Sequence, residues 1–469
     1  MKRTKIICTL GPASSDEKMI EKMLKNGMNV ARFNFSHGTH EYHKEMIDRF
    51  RKVRDELGIP AAVMLDTKGP EIRLCTFKNK SVVISDGAQF TLTSREVEGD
   101  ETIVSVSYKD LPSQLSAGDR VLIDDGMVEL NVLETNETDI ICKVVTGGKI
   151  SDRKGVNIPG KHLDFPYISK QDEADLVFGV EQKVDFVAAS FVRSKEDVIA
   201  VRNLLDYYGG YKIKIISKIE NIEGVENFDE ILRYSDGIMV ARGDMGVEIE
   251  YEKLPGLQKA FIKKCYQAGK MVITATQMLE SMIHNNTPTR AEITDVANTV
   301  FDGTSAVMLS GETAMGAHPD LAVSVMAKIA SQAENDAFSL GNYGYDNNED
   351  DTANAICDAA CTTARDIKAA AIIAVTISGA TARGVSKFRP NEIIVAATPD
   401  QQTFHQLALS WGVFPVKALM QNDTDALLLH AIACAKKDGY VNDGDRVVIT
   451  AGNGGVTNIL RVEIVNGKL

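Results

Sequence analysis

Two short stretches end in residue types that do chemistry together. In residues 213–221 (IKIISKIEN) an apolar run closes on Lys218 and Glu220, an ammonium and a carboxylate spaced i, i+2. On a β-strand that spacing points both side chains to one face. In residues 237–244 (GIMVARGD) a second apolar run closes on Gly243 and Asp244. Two carboxylates and an ammonium at neighbouring strand ends can hold Mg²⁺ or Mn²⁺ together with an anionic substrate. The same residues can equally be a surface ion pair capping two strands. Arg32 and Arg73 add planar donors suited to oxyanions. The turn 243–246 (GDMG) offers backbone N–H groups to a carboxylate or phosphate at a helix start. Together these parts resemble phosphoryl-transfer machinery, in which positioning and charge neutralisation do most of the catalysis. Asn34, Ser36, Asp66 and Thr67 form a further set, one carboxylate among neutral oxygens. It suits a monovalent cation, although chemistry alone favours a plain hydrogen-bond network there.

The elements that must position these residues recur with a regular plan. Apolar runs of strand length, each followed by a helical pattern, occupy residues 5–9, 29–33, 62–66, 186–190, 213–218, 238–241, 271–275 and 306–309. Strands alternating with helices imply parallel pairing, and eight such units are the number that closes a (β/α)8 TIM barrel, with chemistry at the C-terminal strand ends. Those ends are polar throughout: Arg32, Asn34 and Ser36; Asp66, Thr67 and Lys68; Ser190; Lys218 and Glu220; Arg242 and Asp244; Thr276 and Gln277; Ser310 and Glu312. About a hundred residues separate the third strand from the next helical pattern, 170–182. Within them, short β-branched segments (81–84, 102–106, 139–145) alternate with turns such as Ser85-Asp86-Gly87 and Asp124-Asp125-Gly126. This predicts a small all-β barrel-like domain inserted in a barrel loop, placed to act as a lid. After residue 340 a Gly-, Asn- and Asp-rich linker (341–351) leads to a C-terminal α/β domain with strands expected at 371–376, 393–398, 413–418, 446–450 and 460–465. The expected division is therefore 1–69 with 167–340 (catalytic barrel), 70–166 (lid) and 341–469 (regulatory domain).

The totals narrow the setting. A chain of 469 residues exceeds a single core. Its net charge of −13 argues against broad adhesion to nucleic acid or anionic membrane, while leaving room for a local basic pocket. Seven cysteines, odd in number and without paired spacing, suit a reducing cytosol. No leader-like h-region and no apolar run of roughly 20 residues is present, so a cytoplasmic enzyme without a membrane span is expected.

Seven segments, in order along the whole chain, resemble pyruvate kinases: 8–14 (CTLGPAS), 31–38 (ARFNFSHG), 65–73 (LDTKGPEIR), 216–221 (ISKIEN), 239–246 (MVARGDMG), 274–279 (TATQML) and 308–313 (MLSGET). Seven long motifs in sequence are far more specific than a single glycine loop. The resemblance implies transfer of a phosphoryl group from phosphoenolpyruvate to ADP, giving ATP and, after protonation, pyruvate, the last step of glycolysis. It assigns Lys218 to the transferring phosphoryl group, Arg32 to its oxygens, and Glu220 and Asp244 to Mg²⁺ or Mn²⁺. Gly243, Asp244, Thr276 and Ser310 fall on the substrate side, Thr276 or a bound water giving the final proton. Asn34, Ser36, Asp66 and Thr67 match a K⁺ site, and Glu71 matches the K⁺-dependent members. Asn34, His37, Arg73 and Lys154 fall where the family contacts nucleotide. The resemblance also implies a homotetramer, the region 287–292 lying at a subunit contact, and the compact bacterial form without an N-terminal extension or extra C-terminal domain.

In the last domain, residues 375–383 (VTISGATAR) follow a strand and open a helix, a geometry suited to phosphate that is also an ordinary strand-to-helix turn. The resemblance makes Thr376, Ser378, Gly379, Thr381 and Arg383 the candidate site for a sugar-phosphate or nucleotide effector, with residues 452–455 as a second wall. Other residues read as structural: Trp411 as packing, Cys357 and Cys361 as core thiols, and Thr287 as the cap of a helix starting at Pro288. Two rival functions fit parts of the pattern. A barrel lyase or aldolase would use the metal and lysine but has no need of a lid, Arg73, Lys154 or a monovalent site. A catalytically dead metabolite-sensing scaffold would have lost a charged strand-end residue, and none is lost.

Overall fold

The computed structural model describes residues 1–340, 351–421, 423–453 and 456–466. Its first eight-fold element is a closed barrel of β1 (Lys5–Thr9), β2 (Val30–Asn34), β3 (Ala62–Asp66), β4 (Phe186–Ala189), β5 (Lys214–Ile219), β6 (Gly237–Ala241), β7 (Met271–Ala275) and β8 (Ala306–Leu309). All neighbours are parallel and β8 closes against β1. The expected strands are met to within one residue. They read as mostly apolar runs because both faces are buried: Ile7, Met64, Phe186, Ile216, Met239 and Ile273 fill the interior, while Ile6, Val63, Val187, Ile215 and Ile238 pack under the helices.

Local signals fix the helix ends. The helix His40–Leu57 starts at Thr39, whose hydroxyl accepts from Tyr42 N–H, and stops at Gly58 with φ +66°. The start expected at Thr287-Pro288 is corrected to Thr289. Its hydroxyl accepts from Glu292 N–H while the Glu292 carboxylate accepts from Thr289 N–H, and the helix runs Arg290–Phe301. The reason is spacing: three residues beyond Thr289 stands a glutamate able to return the bond, whereas three beyond Thr287 stands Arg290.

Between β3 and β4 lie a seven-stranded sheet, with strands from Ile72–Arg73 to Gly155–Asn157, and a two-stranded pair, Ser81–Ile84 with Gly148–Ser151. They enclose their own core of Phe90, Leu92, Val121, Leu130 and Ile140. The sequence reading missed Val128–Thr135, where side chains alternate between buried and open faces and the apolar run is broken. At the other end of the chain, β9 (Ala371–Val375), β10 (Ile393–Thr398), β11 (Val413–Lys417), β12 (Arg446–Asn453) and β13 (Val456–Ile464) form a sheet ordered β11-β10-β9-β12-β13, parallel except for β13. β13 starts at Val456 rather than at 460, because it pairs along β12 up to Asn453. The expected linker lies outside the described residues up to Asp351, which caps the helix Thr352–Asp366. Trp411 is 1% exposed, and Cys357 and Cys361 are buried thiols, burial pushing Cys357 up to about 12.

This last sheet is seated on the base of the barrel. Leu409 joins the barrel's interior cluster. The Gln406 amide donates to the carbonyls of Asp185 (3.1 Å) and Lys212 (2.8 Å), and Lys5 Nζ donates to the Val413 carbonyl at 2.6 Å. The C-terminal strand ends, where the polar residues cluster, are left facing the inserted sheet. Among the described residues no helix is long and apolar enough to cross a membrane.

Candidate active site

Lys218 lies one residue before the end of β5 and Glu220 one residue beyond it. Their same-face spacing brings Lys218 Nζ to 2.9 Å from Glu220 Oε1. Lys218 also donates to Asp66 Oδ1 (3.1 Å) at the end of β3 and to Ser190 Oγ (2.7 Å) just past β4. Arg32 on β2 donates through Nε to Asp66 Oδ2 (2.6 Å) and through Nη1 to Thr9 Oγ1 (2.9 Å). Five adjacent strands, β1 to β5, therefore converge on one buried network, Asp66 being 1% and Lys218 8% exposed. Burial alone would raise Asp66 and lower Lys218. The charges of Arg32 and Lys218 outweigh burial at Asp66 and hold it below the usual carboxylate range, and Asp66 and Glu220 likewise hold Lys218 above the usual ammonium range.

Glu220 is under-served. Its Oε2 accepts from the Phe191 N–H at 2.6 Å, whereas its fully buried Oε1 has, among the described residues, no well-aligned hydrogen bond and meets Lys218 Nζ as an ion pair at 2.9 Å. Burial, with Asp244 adding like charge, pushes Glu220 up to about 8 despite Lys218 beside it. A buried carboxylate oxygen without a hydrogen bond, next to a second carboxylate, fits a hard divalent cation. Asp244 stands in the first turn of the helix Arg242–Glu248, directly after β6, with Gly243 before it. A Cβ on Gly243 would sit 2.7 Å from Thr276 Cγ2, so glycine lets the helix start approach β7. Thr276 and Gln277 follow β7 at φ +74° and +56°, rare for residues with a Cβ, and Arg242 Nη2 holds the turn through the Thr276 carbonyl at 2.7 Å. At the end of β8 the Ser310 N–H donates to Glu312, whose other oxygen accepts from Leu279 N–H.

The candidate monovalent set lies beside this network. Asn34 is in register with Asp66, its Oδ1 accepts from Ser36 N–H (3.2 Å), and Thr67 Oγ1 accepts from Ser190 N–H (3.1 Å). The only carboxylate of the set is already matched by Arg32 and Lys218, so the oxygens fit an ion of low charge. His37 is exposed, and its carbonyl contacts His43 Nε2. Arg73 and Lys154 belong to the inserted sheet, Arg73 pairing with Glu71 (2.6 Å) and Lys154 with Asp124 (2.8 Å).

Between the barrel mouth and the inserted sheet lies a cleft of about 160 Å³ whose walls include Glu71, Asp125, Asn157, Asp244 and Glu248. Asp125, read in the sequence only as part of a turn, and Glu248 were not singled out as site residues. Asp125 sits in the Asp124-Asp125-Gly126 turn, all three residues at positive φ, and burial with Asp244 opposite raises its carboxyl. The turn signal was legible, but what it faced was not. In the C-terminal domain Gly379 (φ +83°) starts the helix Ala380–Lys387, its N–H given to Thr376 Oγ1 (3.0 Å). Thr381 and Thr457 share a hydrogen bond (2.8 Å), and Arg383 donates to the Ser378 carbonyl (3.1 Å). Two of the candidate effector hydroxyls are thus engaged locally, and the second wall at 454–455 lies outside the described residues.

Comparison with known proteins bears on the whole chain. It matches the family described as pyruvate kinase, barrel domain, over residues 1–323, and that described as pyruvate kinase, alpha/beta domain, over residues 354–463. It is 47% identical to a pyruvate kinase of Clostridium acetobutylicum over 99% of this chain and 100% of that one. It is 46% identical to one of Staphylococcus haemolyticus over 100% of this chain and 81% of that one. A crystal structure of a pyruvate kinase from Cryptosporidium parvum superposes with a TM-score of 0.92 at 40% identity, covering 99% of this chain and 96% of that one. With a closed eight-stranded barrel, an inserted β sheet and a C-terminal α/β sheet all matched in order, the chain belongs to the pyruvate kinase family.

Proposed function

We propose that the barrel mouth performs the pyruvate kinase reaction, phosphoenolpyruvate + ADP + H⁺ → pyruvate + ATP, through the residues that converge there. The observation that carries this reading is the buried network of Arg32, Asp66, Lys218 and Glu220. Arg32 and Lys218 present fixed positive charge to the phosphoryl oxygens, and Asp66 holds both cations without being available to substrate. Because the network is assembled before substrate arrives, little reorganisation accompanies the charge shift in the transition state. A divalent cation held by Glu220 and Asp244 would neutralise charge on the transferring group and on the enolate left behind. The substrate carboxylate would meet the N–H groups of Gly243 and Asp244 at the helix start, beside the Thr276 hydroxyl and Ser310. Thr276, or a water it orders, would deliver the proton to the enolate carbon. K⁺ would sit among Asn34, Ser36, Asp66 and Thr67, and Arg73, Lys154, His37 and Asn34 would meet the nucleotide.

The domain division given above, with residues 70–166 as a closing lid, belongs to the same proposal. So do a sugar-phosphate or nucleotide effector bound by Thr376, Ser378, Gly379, Thr381 and Arg383, a homotetramer, and a cytoplasmic location. The test is a coupled assay with phosphoenolpyruvate, ADP, Mg²⁺ and K⁺ on wild type and Lys218→Met. Pyruvate formation by the wild type, with loss of about 10²–10³-fold in kcat for K218M assayed well below its melting temperature, where circular dichroism shows it folded, is expected. No pyruvate from wild type, or near-normal turnover by K218M, overturns the reading.

A further inference from the structure

We propose that Ser190 is the positioning residue for Lys218, working with the next backbone amide, that of Phe191, which fixes Glu220. The inference rests on the phosphoryl-transfer reading above. Ser190 is 1% exposed and constrained on every side. Its N–H donates to Thr67 Oγ1 (3.1 Å), and its carbonyl accepts from the Tyr167 hydroxyl (2.8 Å). Its hydroxyl has one proton to give, and the short bond is to the Thr67 carbonyl (2.6 Å), with Asp66 Oδ1 further off at 3.3 Å. With the proton directed there, the oxygen's lone pairs are left for Lys218 Nζ at 2.7 Å. The backbone then turns sharply. Phe191 lies at φ +53°, an unusual place for a bulky side chain, and that turn aims its N–H at Glu220 Oε2 (2.6 Å). Gly69 makes room for the corner, since a Cβ there would meet Ser190 Cβ at 2.8 Å.

The physical need for such a residue follows from the charges around Lys218. Asp66 and Glu220 both pull on the ammonium, from 3.1 and 2.9 Å. A neutral acceptor on a third side sets its direction without neutralising it, so the charge stays available to an incoming anion. Without Ser190 the ammonium is free to settle between the two carboxylates, and a displacement of about 1 Å at a reacting centre is enough for a 10²-fold loss in rate.

The test compares full-length S190A, S190C, K218M and S190A/K218M with Mg²⁺ and K⁺ present. It measures kcat, the KM for ADP, melting temperature, and phosphoenolpyruvate affinity by calorimetry without ADP. S190A is expected to lower kcat by about 10–100-fold with the KM for ADP within about twofold. S190C, which keeps the volume but accepts hydrogen bonds poorly, is expected to match S190A. On phosphoenolpyruvate affinity, S190A is expected to add less than about twofold once K218M is present, the signature of one residue acting through the other. Wild-type turnover in S190C would make Ser190 a packing residue, and full multiplication of the S190A and K218M effects on affinity would show that it acts alone; either result overturns the proposal. Unimpaired turnover in K218M would instead overturn the phosphoryl-transfer reading itself.

Discussion

Replacing Asp66 by Asn tests whether the buried network holds the barrel mouth together. Asp66 is 1% exposed and takes Arg32 on one oxygen at 2.6 Å and Lys218 on the other at 3.1 Å. At an effective dielectric near 20, those separations correspond to Coulomb attractions of roughly 6 and 5 kcal/mol. Most of that attraction is offset by the desolvation of three charges, so the net effect is better taken from buried pairs broken on one side, about 3–5 kcal/mol. The low end applies here, because Lys218 keeps Glu220 at 2.9 Å and Arg32 keeps Thr9 Oγ1. The expected loss is therefore about 3 kcal/mol, more than a hundredfold in a local unfolding equilibrium. Hydrogen exchange at the C-terminal ends of β2, β3 and β5 reads it directly, with exchange in β9 to β12 as an internal control. The loss should change little between 0.1 and 1 M salt, because buried pairs are poorly screened. D66N should also lower kcat steeply, since Arg32 and Lys218 both lose their common anchor. A change below about 1 kcal/mol, or one abolished by salt, would refute the assignment of Asp66 as a buried structural anion.

Three further outcomes follow from other parts of the fold. His405 is buried beside Arg54 where the C-terminal domain meets the barrel base, and burial followed by that charge pushes it down to about 3. The unfolded chain takes up a proton near pH 6.5 and the folded one does not, so stability is lost as pH falls from about 6.5 toward 3. At pH 5 the loss is about 2 kcal/mol, and H405Q should remove it in denaturation curves run at pH 7 and pH 5. Gly243→Ala would set a Cβ 2.7 Å from Thr276 Cγ2, so kcat should fall about 10²-fold with little change in melting temperature; wild-type kinetics would show that the close approach is not needed. Thr289→Ala removes the capping box of the helix Arg290–Phe301 and should destabilise the protein by about 1 kcal/mol in chemical denaturation, whereas an equal effect from Thr287→Ala would return the cap to that position.

The barrel was legible because its strands are buried on both faces. Runs such as Ala62–Asp66 and Ala306–Leu309 carry no polar interruption until the residue at which the site begins, so strand and site were marked by the same boundary. Val128–Thr135 was missed for the opposite reason: with one face open, its apolar residues are separated by Glu and Asn. At the site, spacing along one strand was readable and contact between strands was not. Lys218 and Glu220 could be paired from i, i+2 alone. That Asp66, some 150 residues earlier, anchors Lys218 depends on barrel closure, which brings β3, β4 and β5 side by side. Ser190 and Phe191 were harder still, because a serine at a strand end and a phenylalanine after it have no distinctive pattern. Their significance lies in a φ of +53° and one hydroxyl proton, neither of which is written in residue type.

The charges at the mouth divide into a matched and an unmatched part. Arg32 and Lys218 flank Asp66 so closely that the trio would sit at a net charge of +1 were Glu220 not beside Lys218. Glu220, when ionised, and Asp244 reverse that sign, and Asp125 and Glu248 on the cleft wall add further carboxyl groups. An anionic substrate approaching this mouth by itself meets more carboxylate than cation, and burial makes the repulsion larger than it would be in water. The sequence −, −, + along Asp244, Glu220 and Lys218 is therefore incomplete as an anion site and complete as a cation site whose far side is an anion site. That ordering fits a feature otherwise unfavourable to stability, a buried Glu220 Oε1 that among the described residues meets Lys218 at 2.9 Å as an ion pair: the divalent cation proposed above would supply the contact the chain does not.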